Sequence, residues 1–154
     1  MQLVKTTILA SIIAITTGCA SVNMAPENAS KAAKGFSPPS KDMAGMYLYR
    51  DNSIVGSGLK KDIWIDGKCI GETARGVFFY KEVKGDREHE VATESEFSPN
   101  TLKLITESGN HYFIRQYIKL GLFVGGAGVE IVDAQEGMEE VAKLRMALEG
   151  NCDN

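Results

Sequence analysis

The strongest constraint on what this chain folds into is its succession of short β-like runs, each cut off by turn-forming residues. Ile63-Trp64-Ile65 runs into Asp66-Gly67 and out through Lys68-Cys69-Ile70. Asp-Gly accepts positive φ at both central positions of a type I′ turn, so a tight hairpin is expected there. Similar runs occupy 46–50, 77–83, 89–97, 101–106, 111–118 and 129–132. Lys84-Gly85-Asp86 and Glu107-Ser108-Gly109-Asn110 supply turns between them. The pattern predicts a mainly β, antiparallel domain. Along 89–97, His89, Val91, Thr93 and Phe97 share one parity and Glu90, Ala92, Glu94 and Glu96 the other, so the first set is expected buried and the second solvated.

One helix is expected near the end of the chain. Asp133 can cap it, with Glu136 at the N3 position of a capping box. Met138, Val141, Leu144 and Leu148 recur at spacings of 3, 3 and 4, an apolar stripe able to pack on a sheet, and Gly150 is the expected stop. With 154 residues, 44% hydrophobic and 24% charged, the chain has room for one such domain. Its 17 basic and 20 acidic residues sum to −3, which leaves no broad basic surface and argues against nucleic acid as a partner.

Residues 1–18 read as a separate unit. Lys5 precedes an apolar run over 6–15, and Thr16, Thr17 and Gly18 follow, which is the three-part layout of a secretory signal peptide. The run is too short for a permanent membrane span, which takes about 20 apolar residues. Thr16-Thr17-Gly18-Cys19 resembles the lipobox of bacterial lipoproteins, in which the cysteine takes a diacylglycerol group and becomes the first residue after cleavage. The resemblance implies lipidation at Cys19 and attachment to the membrane through that N-terminal lipid. Ala20, where an Asp commonly retains such proteins in the inner membrane, implies an outer-membrane address facing the periplasm. Cleavage removes Lys5 alone among the charges, so 16 basic residues against 20 acidic leave −4.

Residues 20–43 are rich in Ala, Ser, Asn and Lys, contain Pro26, Pro38 and Pro39, and show no sustained apolar period. They read as a tether that, as a coil of about 24 residues, would span on the order of 25–30 Å. The lipidated cysteine and flexible tether thus take 19–43, and the β domain with its helix takes 44–154.

Cys69 and Cys152 are candidates for a disulfide, which would pin the chain end in a compartment that permits such bonds. Neither has a CxxC partner or a basic neighbourhood that would make a reactive thiol. His89 and His111 are far apart and no paired cysteines accompany them, so no metal and no other cofactor is expected. Gly56-Ser57-Gly58 reads as a loop, not a nucleophile elbow, and the glycine-rich stretch 120–128 lacks the Gly-Lys-Ser/Thr ending of a phosphate loop. Glu90, Glu94 and Glu96 offer carboxylates, but glycoside hydrolysis needs them across a cleft, and a charge-guarded strand face is the commoner arrangement. Leu122, Phe123 and Val124 are the candidate partner-binding residues, an exposed apolar tip for a partner or membrane surface; the alternative is that they fold back and close one end of the domain.

The stretch from Ile63 to Thr73, then Phe78-Phe79-Tyr80, Gly85 and Glu88-His89-Glu90-Val91, resembles a PEGA-type β-sandwich repeat. Ala74 stands where such repeats usually carry Pro. Over a longer span, from the 46–50 run through His111-Tyr112-Phe113-Ile114 to Glu130-Ile131-Val132 and Glu136-Gly137, the chain is similar to bacterial lipoproteins carrying the domain of unknown function 2846. These resemblances imply a small immunoglobulin-like or transthyretin-like sandwich in the bacterial cell envelope, and imply no chemistry. The expected function is a lipid-anchored, non-catalytic protein-interaction or assembly module with an envelope protein as partner, engaged through a strand edge or the apolar loop. The alternatives are an envelope glycan-binding module, stacking sugars on Tyr47, Tyr49, Trp64 or Tyr112, and a carboxylate-dependent hydrolase.

Overall fold

A computed structural model describes residues 21–123, 125–150 and 152. Residues 1–18, expected to be a signal peptide, and the lipidation candidate Cys19 lie outside the described residues, as does Val124. A short helix, α1 (Glu27–Ala33), leads into β1 (Met43–Arg50). There follow β2 (Lys61–Ile65), β3 (Lys68–Thr73), β4 (Val77–Lys84), β5 (Arg87–Thr93), β6 (Asn100–Thr106), β7 (His111–Lys119) and β8 (Gly126–Val132). The chain closes with α2 (Ala134–Lys143) and the two-residue β9 (Arg145–Met146). The strands form two sheets, ordered β8-β7-β1-β4-β9 and β3-β2-β5-β6, packed as a small β-sandwich.

The Asp66-Gly67 turn joins β2 to β3 with φ of 50° and 72°, so both residues occupy the left-handed region that Asp-Gly tolerates. The sandwich is not wholly antiparallel: β1 runs parallel to β7, with Tyr47 opposite Phe113, and β4 runs parallel to β9. Each connection from β1 to β8 reverses the chain, so β1, β3, β5 and β7 all run toward one end, and two of them are neighbours.

Alternate residues of β1 serve two cores. Met46 and Leu48 meet Ile63, Phe79, Val91 and Ile114 between the sheets. Tyr47 and Tyr49 join Phe78, Phe113, Val141 and Leu144 on the outer face of the five-stranded sheet, beneath the helices. Polar groups also cross the sandwich. Gln116 of β7 is fully buried and donates to the Thr93 hydroxyl of β5 at 2.7 Å, while its side-chain carbonyl meets the Thr73 hydroxyl of β3.

The flexible tether expected over 19–43 is corrected for its described part. Met24 bridges Ala147, the Ala25 N–H donates to Met146 O at 2.9 Å, and the Leu148 N–H donates to Asn23 O at 2.9 Å. The Tyr47 hydroxyl donates to Ala33 O at 2.7 Å, and the Phe36 ring meets Tyr47 edge-on with centroids 5.3 Å apart. A seven-residue helix is too short to hold itself together in water. α1 exists because the sheet supplies partners that its own sequence does not signal.

The second helix starts as expected and stops early. The Asp133 carboxylate accepts the Gln135 N–H at 2.8 Å, while Glu136 ion-pairs with Arg115 at 3.0 Å instead of folding back on the cap. The helix ends at Lys143, not at Gly150, because Leu144 turns extended and the next residues pair with β4. Val141 and Leu144 are buried, whereas Met138 and Leu148 are exposed, so only half of the apolar stripe reaches the core. Phe97 is likewise exposed, since β5 ends at Thr93 before the alternation reaches it. Cys69 and Cys152 are joined in a disulfide with Cα atoms 5.9 Å apart.

Candidate docking surface

Because β1, β3, β5 and β7 all point one way, the segments 51–60, 74–76, 94–99 and 120–125 gather at one end of the sandwich. Three of them lift large apolar side chains into solvent. Ile54 is 80% exposed, Phe97 80%, Leu120 96%, Leu122 77% and Phe123 82%, and Val55 is exposed beside them. These make up six of the ten large exposed apolar residues described. Leu122 and Phe123 are exposed, so the reading that they fold back to close one end of the domain does not hold for them.

The backbone beneath these side chains is tied down. Arg50, only 2% exposed, donates to Leu59 O at 2.8 Å and to Gly56 O, which pins both limbs of the first loop. Gly56 sits at φ 69° with the Ile118 side chain where a Cβ would stand, so this turn takes glycine on both conformational and steric grounds. Arg75 reaches Asn52 at 2.8 Å from the neighbouring segment. The Glu96 carboxylate accepts the N–H groups of Leu122 and Phe123, and Ala127 N–H donates to Glu94 O at 3.2 Å. Gly125 packs against Leu59, linking the first and third loops. Arg50, Asn52, Arg75 and Glu96 are engaged in holding the loops, while Ile54, Phe97, Leu122 and Phe123 face outward.

The other residues singled out from the sequence do not converge on a second site. His89 is buried, with Nδ1 2.6 Å from Asp66 Oδ2 and Nε2 2.7 Å from Lys84 O, so both ring nitrogens are used in tying the hairpin turn to β4. These two residues help line a shallow depression of about 340 Å³. Glu94 pairs with Lys61 at 2.9 Å and Glu96 holds the loop, so the strand acids do not face each other across a cleft. Tyr47 and Tyr49 are core residues, and burial pushes the Tyr49 phenol up to about 12, opposed by Arg115 and reinforced by nearby acids. Trp64 and Tyr112 stand on different sheets, so the four rings do not form a row for stacking on sugars. Among the described residues no group of three or more His, Cys, Asp or Glu could hold a metal ion, and no helix is long and apolar enough to cross a membrane.

Sequence reasoning missed Ile54, Val55 and Phe97. Their signal is an isolated apolar residue or pair inside a stretch of Ser, Asn, Pro and Gly, where a loop has no core to bury it.

Comparison with known proteins places the chain in a family. A chain described as an uncharacterized protein from Haemophilus influenzae (strain ATCC 51907 / DSM 11121 / KW20 / Rd) is 51% identical over 142 residues, covering 90% of this chain and 83% of its own length. No solved structure matches. The family model described as a protein of unknown function (DUF2846) matches residues 40–127, more than half of the chain, and the chain belongs to that family.

Proposed function

We propose that this protein is a lipid-anchored, non-catalytic component of the bacterial cell envelope, held by Cys19 at the outer membrane and facing the periplasm, that acts as an interaction or assembly module through its three-loop apolar end. The observation that carries this reading is the convergence of Ile54, Val55, Phe97, Leu120, Leu122 and Phe123 on one surface. Single exposed apolar residues are ordinary, but a cluster built on a tied-down backbone marks a surface meant to be covered. An envelope protein is the partner class that the sequence reading expects for it.

Photo-crosslinkers placed in intact cells at 54, 97 and 123, with 103 on the mid-strand face of β6 as control, test the surface. Adducts at the three loop positions and none at 103 are expected. Equal labelling at all four, or none at any, would rule out docking through this end. Cys19→Ala is expected to abolish lipid labelling and membrane retention, and a retained, labelled variant would refute the anchor.

A further inference from the structure

We infer that the opening between the two sheets, at the end opposite the apolar loops, is a binding site for a small amphiphilic carboxylate. Its chain lies against Ile65, Ile70 and Val83, and its head group is taken by Lys68 and Arg87. The site shares no residue with the loop surface, so its test is independent of the docking reading.

The sandwich is open on this flank. β9 covers β4 only at Val77 and Phe78, and β3 is the edge of its own sheet. Toward the start of β1 and the end of β4 the sheets leave a depression of about 340 Å³, and its floor is inter-sheet core, Ile65, Ile70 and Val83. That volume falls within the range of small-molecule sites, about 300–1,000 Å³. Inward-facing positions of a sandwich ordinarily carry apolar side chains that close such a gap. Here several are basic. Lys68 stands opposite Ile65 in the β2–β3 pairing, Lys81 shares the parity of Phe79 and Val83, and Arg87 shares that of His89 and Val91.

The charges around the depression are not equally committed. Lys81 pairs with Glu149 at 2.8 Å. The Asp66 carboxylate is taken by the His89 ring at 2.6 Å and the Glu90 N–H at 2.9 Å. Glu82 accepts from the Ser40 N–H and the Tyr80 hydroxyl, and Asp86 is held by Ser108. Lys84 shares the outward parity of Tyr80, and its carbonyl meets the His89 ring. That leaves Lys68 and Arg87, both exposed, whose side chains make no hydrogen bond or ion pair with the described residues.

Two uncommitted cations above an apolar floor, on a chain of formal charge −3, fit an anion that carries its own apolar part. Arg87 feels the Asp66 charge across space, which offsets part of the positive field and matches a singly charged head better than a dianion. A guanidinium offers a carboxylate two parallel donors. One wall is already in place, because the strap bearing Glu149 is fixed by the Gly150 N–H to Ile70 O at 3.0 Å and by the Cys69–Cys152 disulfide. A preformed wall lowers the ordering cost of binding.

The test labels the full chain in intact cells with a diazirine-bearing decanoate and maps the adducts by mass spectrometry. Adducts concentrated in 65–70 and 81–89 are expected, suppressed by excess decanoate and not by decanol. Lys68→Gln and Arg87→Gln should each lower labelling severalfold, while Lys103→Gln, on the outer face of β6, should leave it unchanged. Glu149→Gln frees Lys81 and should raise labelling, a gain that damage to the fold does not produce. Urea midpoints of the variants are expected to equal the parent's, since Lys68 and Arg87 hold nothing in place. Suppression by decanol as strong as by decanoate, adducts scattered over the surface, or labelling that Lys68→Gln and Arg87→Gln leave unchanged would overturn the inference.

Discussion

The Glu96 carboxylate accepts the backbone N–H of Leu122 at 2.6 Å, joining two loops that lie 26 residues apart in sequence. It accepts the neighbouring Phe123 N–H as well. One charged side chain therefore orders the segment that carries two of the most exposed apolar residues, and the acid once counted among catalytic candidates is a positioning group.

Glu96→Ala is expected to release both N–H groups to water. Hydrogen exchange at 120–123 should speed up, while global stability changes by less than about 1 kcal/mol because these donors are at the surface. Exchange measured by mass spectrometry checks it, and unchanged protection would mean that the contacts of Gly125 and Leu59 hold the loop without help.

Gly137→Ala should destabilise the protein although alanine is the better helix former. A Cβ at 137 would stand 2.2 Å from Phe113 Cγ, so α2 must back away from β7. The helix-propensity gain of about 1 kcal/mol is outweighed by an overpacking cost of about 1–3 kcal/mol. A lower urea midpoint is expected, and a higher one would show that α2 slides outward at no cost.

Cys152→Ser removes a bridge between residues 83 apart. Loop-closure entropy puts the loss near 4.5 kcal/mol as an upper figure, with about 3 kcal/mol the central expectation. Guanidinium unfolding of the variant against the oxidised parent measures it. The strap from Arg145 onward should also loosen, since Gly150 N–H to Ile70 O and Leu148 N–H to Asn23 O lose their far anchor.

Asp66 makes stability depend on acidity. Burial alone would raise its carboxyl, but the Glu90 backbone N–H and the His89 ring outweigh that and hold it below the ordinary value. The folded protein then binds this proton less readily than the unfolded chain. The contribution is present above about pH 4 and is lost as pH falls through the folded value. Asp66→Asn should be less stable than the parent near neutrality, by about 1 kcal/mol or less because the side chain is partly exposed, and the difference should shrink in acid. Urea midpoints of both proteins at neutral and acidic pH check it, and a constant gap would assign the effect to turn geometry alone.

Features set by a few adjacent residues were legible in the sequence. The Asp66-Gly67 hairpin was, because only residues that tolerate positive φ serve both of its central positions, and the buried set His89, Val91 and Thr93 was, because alternation is local. The Asp133 cap was read for the same reason. Leu122 and Phe123 stood out as an apolar pair in a glycine-rich stretch.

What the tertiary structure alone decided lies between distant segments. Residues 23–33 carry no strong periodicity, and their order comes from Met146, Leu148 and Tyr47, more than ten residues and up to the whole length of the domain away. Helix α2 has an apolar stripe long enough to continue, but pairing with β4 claims the chain at Arg145. Ile54, Val55 and Phe97 become one surface with Leu122 and Phe123 only because every connection from β1 to β8 reverses direction and brings their loops to the same end. Local chemistry chooses turns, caps and faces, whereas the company a loop keeps depends on strand order, which the period of a single segment does not encode.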